Sequence, residues 1–115
     1  MYANSISKDS QYGAHDLIGR SAAMRQLVER LPAIANARRT TLICGPTGSG
    51  KEVVARALHG HGAKDTPYVA VHCGALPEQL LEAELFGHTR GAFTGATQAR
   101  QGLIRTAAGG TLFLD

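Results

Sequence analysis

A chain of 115 residues has room for one domain with a core of useful size. With 43% hydrophobic and 18% charged residues and 14 glycines it reads as a globular chain with several special turns, and no apolar run is long enough to span a bilayer as a helix. Its net charge of +3 comes from twelve scattered basic residues, of which Arg38–Arg39 is the only adjacent pair, a pattern of a solvated surface rather than of a nucleic-acid-binding face; no helix-turn-helix pattern is visible either.

Residues 1–15 are polar, lack the apolar stretch of a secretory signal and read as a flexible tail, leaving 16–115 as the folded part. Ser21 is placed to cap a helix whose apolar side chains recur at 24, 27, 28, 31 and 34 or 35, and Pro32 should kink or end it near Leu31. "TTLIC" at 40–44 is a short β-branched run, expected as a buried strand, and it leads straight into "GPTGSGKE". From Lys51 a second helix carries Val53, Val54, Ala57 and Leu58 on one face and closes with "HGH" at 59–61, where cationic groups suit the helix end. A turn then precedes a strand at about 68–73, and "LPEQLLEAELF" follows as a third helix with Pro77 in its first turn. After "GAFTGA" at 91–96 come a short helix, "GLIRTAA", stopped by Gly109–Gly110, and a third strand, "TLFLD", at 111–115. Strands alternating with helices imply a parallel sheet with crossover helices.

Cys44 and Cys73 have neither metal nor redox spacing and read as reduced thiols of a cytosolic protein. The five histidines do not make a metal set: "HGH" belongs to a helix end, and His72 and Cys73, adjacent in a strand, would point to opposite faces.

Gly45 to Lys51, "GPTGSGK", fits the spacing G-x-x-x-x-G-K between a strand and a helix. Glycines let the backbone curl so that successive N–H groups face phosphate oxygens, and the following helix adds its positive end. Lys51 adds a point charge for the β- and γ-phosphates. Glu52 stands where most such loops carry a Ser or Thr for Mg²⁺. Four residues of a largely apolar strand deliver Asp115 to the carboxyl end of the sheet, where ligands of α/β folds bind and where a carboxylate can hold Mg²⁺ or its waters. "GAFTGA" is the anomaly: a large ring, Phe93, in a stretch with too little side chain to bury it.

"GPTGSGKE", "ELFGHTRGAFTGA" and "GGTLFLD", in that order, closely resemble the AAA+ domain of bacterial sigma-54-dependent transcription activators, from about "DLIGRS" at Asp16 to the last residue. Glu52 is what that family carries, so the departure from the general loop becomes support. The resemblance implies an α/β P-loop NTPase (AAA+) fold, a parallel-sheet sandwich reaching here to the Walker B strand. It implies ATP and Mg²⁺ as ligands, with Gly45, Gly48, Gly50 and Lys51 on the phosphates and Pro46, Thr47, Ser49 and Glu52 completing the loop. Ile18 and Gly19 would lie against adenine. Lys51 and Asp115 would be the catalytic pair, with Asp115, the Walker B aspartate, on the metal.

By the same resemblance Gly91, Ala92, Phe93, Thr94, Gly95 and Ala96 form the tip of a loop inserted into the third helix. There they engage the sigma-54 factor of RNA polymerase, with Phe93 as an exposed anchor. A ring of copies, usually a hexamer, would hydrolyse ATP to remodel the polymerase–sigma-54 closed complex. Pro46, lacking an N–H, removes one possible phosphate donor, and His72 stands where the family commonly has Asn. A polar residue there can restrain the catalytic glutamate by hydrogen bond.

The expected general base, a Glu after Asp115, the sensor residues, the arginine fingers, the lid and any DNA-binding element are not among these residues, so the chain as written is expected to turn over little ATP. The strand that in this superfamily joins the phosphate-loop strand to the Walker B strand also comes later, which would leave both with open edges. The alternative readings are a catalytically inactive module that binds sigma-54 through Phe93 and a phosphate-loop ATPase with another partner; the intact "GAFTGA" weighs against the latter.

Overall fold

The computed structural model describes Ile6, Ser7, Leu17 and residues 19–115. The chain divides into two compact units, Ser7–Thr66 and Pro67–Asp115 with Ile6.

In the first unit, helix α1 spans Ala22–Ala37. Ser21 caps it: its side chain accepts from the Met24 N–H at 3.2 Å, satisfying one of the donors that a helix start leaves open. Arg38, at φ 49°, ends it in the left-handed region. The helix runs through Pro32 without ending there, so of the two expected outcomes, a kink or an end, the end does not occur. A helix-interior proline costs roughly 3 kcal/mol; here packing outweighs that, because Leu31 beside it is 1% exposed and α1 lies against α2, Lys51–Gly62. Gly62 comes so near that a Cβ there would stand 2.9 Å from the Ala35 carbonyl oxygen.

The buried face of α2 only partly matches the expected one: of the four residues expected on it, Ala57 is buried and Val54 and Leu58 are partly buried. Ala55, Ala57 and His59 are buried while Val53 is exposed. Spacings of seven and three put Ala55 and His59 on the stripe of Gly62, whose close approach to Ala35 helps set how the helix is turned.

The "TTLIC" segment departs most from expectation. Residues 40–44 form no strand, and Leu42 is 86% exposed. The reason is the absence of a neighbour: among the described residues no strand pairs with 40–44, and unladdered backbone stays with solvent.

In the second unit, β2 (Tyr68–Val71) is buried along its whole length and pairs in parallel with β5 (Thr111–Leu114), in the register Tyr68↔Thr111 to Val71↔Leu114. A two-residue strand, β1 (Ile6–Ser7), from the stretch read as a tail, completes the order β1-β2-β5. Helices α3 (Glu78–Phe86) and α4 (Leu103–Thr106) pack on each other. Val69, Val71, Leu103 and Ala107 form the core, with Cys73, Leu81, Leu85 and Leu112 against it. Between α3 and α4 an antiparallel ribbon, β3 (Gly87–His88) with β4 (Arg100–Gln101), closes the base of a hairpin whose tip holds residues 91–96.

Candidate functional site

In the first unit the phosphate loop is a turn opening α2. Gly50 caps the helix at φ 92°, a left-handed conformation with open space where a Cβ would stand, so glycine is required by the backbone angle and not by crowding. No side chain caps this helix start, in contrast to α1. Its first N–H groups and its dipole are thus available to an anion.

Lys51 is folded over the loop. Its Nζ donates to the carbonyl oxygens of Gly45 (3.0 Å) and Pro46 (3.1 Å), and the Ser49 N–H also donates to Pro46 (3.1 Å). Proline at 46 thus removes a donor but supplies the acceptor that shapes the turn. A phosphate arriving here exchanges two carbonyl contacts of the lysine for charge-assisted ones, which are stronger. Thr47 and Gly48 lie exposed on the loop. The Glu52 carboxylate accepts from Arg56 at 3.0 Å, one turn along the helix. Gly19 is exposed and close to Met24 of α1, while Ile18 lies outside the described residues.

In the second unit Asp115 follows β5 directly. Its N–H donates to the Val71 oxygen (2.9 Å) and its own oxygen accepts from the Cys73 N–H (2.8 Å), so the parallel ladder runs one step past the strands. That register sets Asp115 beside His72, and His72 Nδ1 lies 3.4 Å from Asp115 Oδ2, both side chains about half exposed. A half-exposed carboxylate at a strand's carboxyl end is a hard oxygen donor of the kind Mg²⁺ accepts, and the residue fits that role.

At the hairpin tip, the Gly91 N–H donates to the Ala96 oxygen (2.9 Å) and the Ala96 N–H to the Phe93 oxygen (3.0 Å). Thr94 is exposed, and Gly91 and Gly95 take φ of 80° and 95°. Phe93 is not the freely exposed anchor expected. It is half-buried, its ring edge-on to His88 with centroids 4.8 Å apart and planes at 63°. The tip turns back on its own base, and the ring takes the one aromatic partner that the ribbon offers.

Sequence reasoning assigned no role to His88. The available signal was its place at the start of the segment, five residues before the ring. The sequence did single out His72, but only the parallel register of β2 and β5 makes Asp115 its neighbour.

A family model described as "Sigma-54 interaction domain" matches residues 17–115. The chain is 51% identical over 100 residues to the transcriptional regulatory protein GlrR of Escherichia coli, covering 86% of this chain and 22% of GlrR. It is 54% identical over 100 residues to the C4-dicarboxylate transport transcriptional regulatory protein DctD of Pseudomonas aeruginosa, covering 86% and 22% respectively. The crystal structure of NtrX from Brucella abortus superposes with a TM-score of 0.75 at 35% identity, over 86% of this chain and 21% of that one. The chain thus spans about a fifth of the length of the proteins it matches.

Proposed function

This chain belongs to the sigma-54 interaction domain family and has its α/β, P-loop NTPase (AAA+) fold, and on that footing we propose that it is the nucleotide-binding and sigma-54-contacting part of an ATP-driven transcription activator. The observation that carries the reading is the uncapped start of α2 joined to a glycine turn and Lys51, in the same chain as a hairpin presenting "GAFTGA". Together they supply the input and the output of such a protein.

Gly45 to Lys51 would hold the ATP phosphates by backbone N–H groups and the lysine charge, with Glu52 completing the loop and Ile18 and Gly19 against the adenine. Asp115 would hold Mg²⁺ or its waters; when bound, that ion supplies charge neutralisation for phosphoryl chemistry. Gly91 to Ala96 would meet sigma-54, with Phe93 as the residue of largest contact area, and copies would assemble into a ring, usually a hexamer. His72, at the end of β2, would orient the Asp115 carboxylate.

The test is nucleotide binding and sigma-54 capture by the protein as its own gene encodes it. Lys51→Ala is expected to lower ATP affinity at least tenfold, and Phe93→Ala to abolish sigma-54 capture while leaving ATP affinity unchanged. Capture that survives Phe93→Ala would overturn the role given to the hairpin. ATP affinity unmoved by Lys51→Ala would overturn the role given to the loop.

A further inference from the structure

We propose that His88 is a positioning residue that stows Phe93 against the base of its own hairpin, and so limits how often the ring is available to a partner; this rests on the reading of the hairpin given above.

Two features of His88 act in opposite directions. Its ring meets Phe93 edge-on at 4.8 Å, a favourable aromatic geometry that holds the ring down. Its Nδ1 is buried and makes no hydrogen bond with any described residue, which weakens the same arrangement because a buried polar atom without a partner has lost its water. On this proposal Phe93 is what shields Nδ1, so that its departure ends the aromatic contact and returns Nδ1 to water. The stowed and released forms are thereby brought close in free energy, as a loop that must both hide and present a ring requires.

The hairpin is crowded at its base and open at its tip. At the base, a Cβ on Gly87 would stand 2.6 Å from the Arg100 oxygen and 2.7 Å from the Gly102 nitrogen, and one on Gly102 would run into Leu85 and Phe86 backbone atoms. Arg100 is also tied to Glu84 of α3 at 3.7 Å. At the tip, Gly91 and Gly95 have nothing within 4 Å of a Cβ position and positive φ, so the chain can re-angle there without collision. The base is close-packed and the tip is open, and His88 sits on the base side facing Phe93 on the tip side.

The experiment places a fluorinated phenylalanine at position 93 of the protein as its own gene encodes it. Solvent exposure of the ring is read from its fluorine NMR shift in light and heavy water, for His88, His88→Asn and His88→Phe. Affinity for sigma-54 without nucleotide is measured on the same samples. Asn removes the ring contact; Phe keeps a ring and removes the unpartnered nitrogen.

We expect Asn to shift the reporter toward its solvent value and to raise sigma-54 affinity about two- to tenfold, the scale of one aromatic pair, and Phe to do the reverse. A reporter that reads the same in all three proteins overturns the proposal, and the Phe variant gives that answer even if the Asn variant fails to fold. A reporter that moves as expected with no sigma-54 bound by any variant leaves the stowing in place and overturns the assigned partner.

Discussion

Two apolar, β-branched segments of this chain have opposite fates. Residues 68–71, "YVAV", are buried throughout, laddered to β5 and covered by core side chains, with Val69 0% exposed. Residues 40–44, "TTLIC", have the same character, yet they form no strand and leave Leu42 86% exposed. Composition alone would rank them alike. The difference is a neighbour: β2 has β5 beside it with Thr111 to Leu114 in register, whereas no described strand lies beside 40–44. A strand is therefore a sequence pattern completed by a partner, and the hydrophobic contribution of the same residue types depends on whether one is present.

The sharpest way to break this comparison is to place a charge in each segment. Val69→Asp buries a carboxylate in the core without an opposite charge, which is expected to cost at least about 3 kcal/mol and to abolish cooperative unfolding of the Pro67–Asp115 unit. Leu42→Asp should change stability by less than about 0.5 kcal/mol, as surface substitutions do. Urea titration followed by circular dichroism reads both. Equal losses would mean that 40–44 is packed in solution, and the contrast would disappear.

A finer contrast lies within the hairpin, between glycines needed for space and glycines needed for backbone angle. Gly102→Ala forces a methyl group into the carbonyl of Leu85 and the backbone of Phe86 and Gly87, which side-chain motion cannot relieve; overpacking of this kind costs about 2–3 kcal/mol. Gly91→Ala meets open space and suffers only its positive φ, about 1 kcal/mol, so thermal unfolding should rank Gly102→Ala well below Gly91→Ala. If Gly91→Ala proved the more damaging, the tip would be the rigid part and the base the mobile one.

What could be read from the sequence follows the same division between local and non-local causes. The Ser21 cap, the start of α2 at Lys51 and the Pro77 entry to α3 each depend on a few adjacent residues, and each was legible. The turn of Gly45–Lys51 that opens α2 was legible because it is built from contiguous backbone. Continuation of α1 through Pro32 was not, since the packing of Leu31 and the approach of Gly62 to Ala35 that support it come from a segment about thirty residues away. Residues 40–44 were misread because local propensity carries no information about a missing ladder partner. The His88–Phe93 and His72–Asp115 pairs needed the ribbon and the parallel register, respectively, before either could be seen.

The smallest expected effect concerns His59, another residue whose behaviour is set by its surroundings rather than its type. It is buried on α2, and burial pushes its pKa below the usual 6.5, with the nearby Arg56 charge acting in the same direction and a hydrogen bond to the Thr66 backbone opposing. A histidine whose folded pKa is depressed is neutral in the folded state at pH values where the unfolded chain has already taken up a proton. Protons therefore favour the unfolded state, and stability that is fully present above pH 6.5 declines as pH falls toward and through the folded value. The unfolding midpoint of the α1–α2 unit is expected to drop between pH 7 and 5.5, a window above the range in which unperturbed carboxylates titrate. His59→Gln, which cannot be protonated, should flatten that slope whatever its effect on absolute stability. An unchanged slope would mean that His59 carries its proton inside the fold, and that the polar atoms around it, rather than burial, govern its charge.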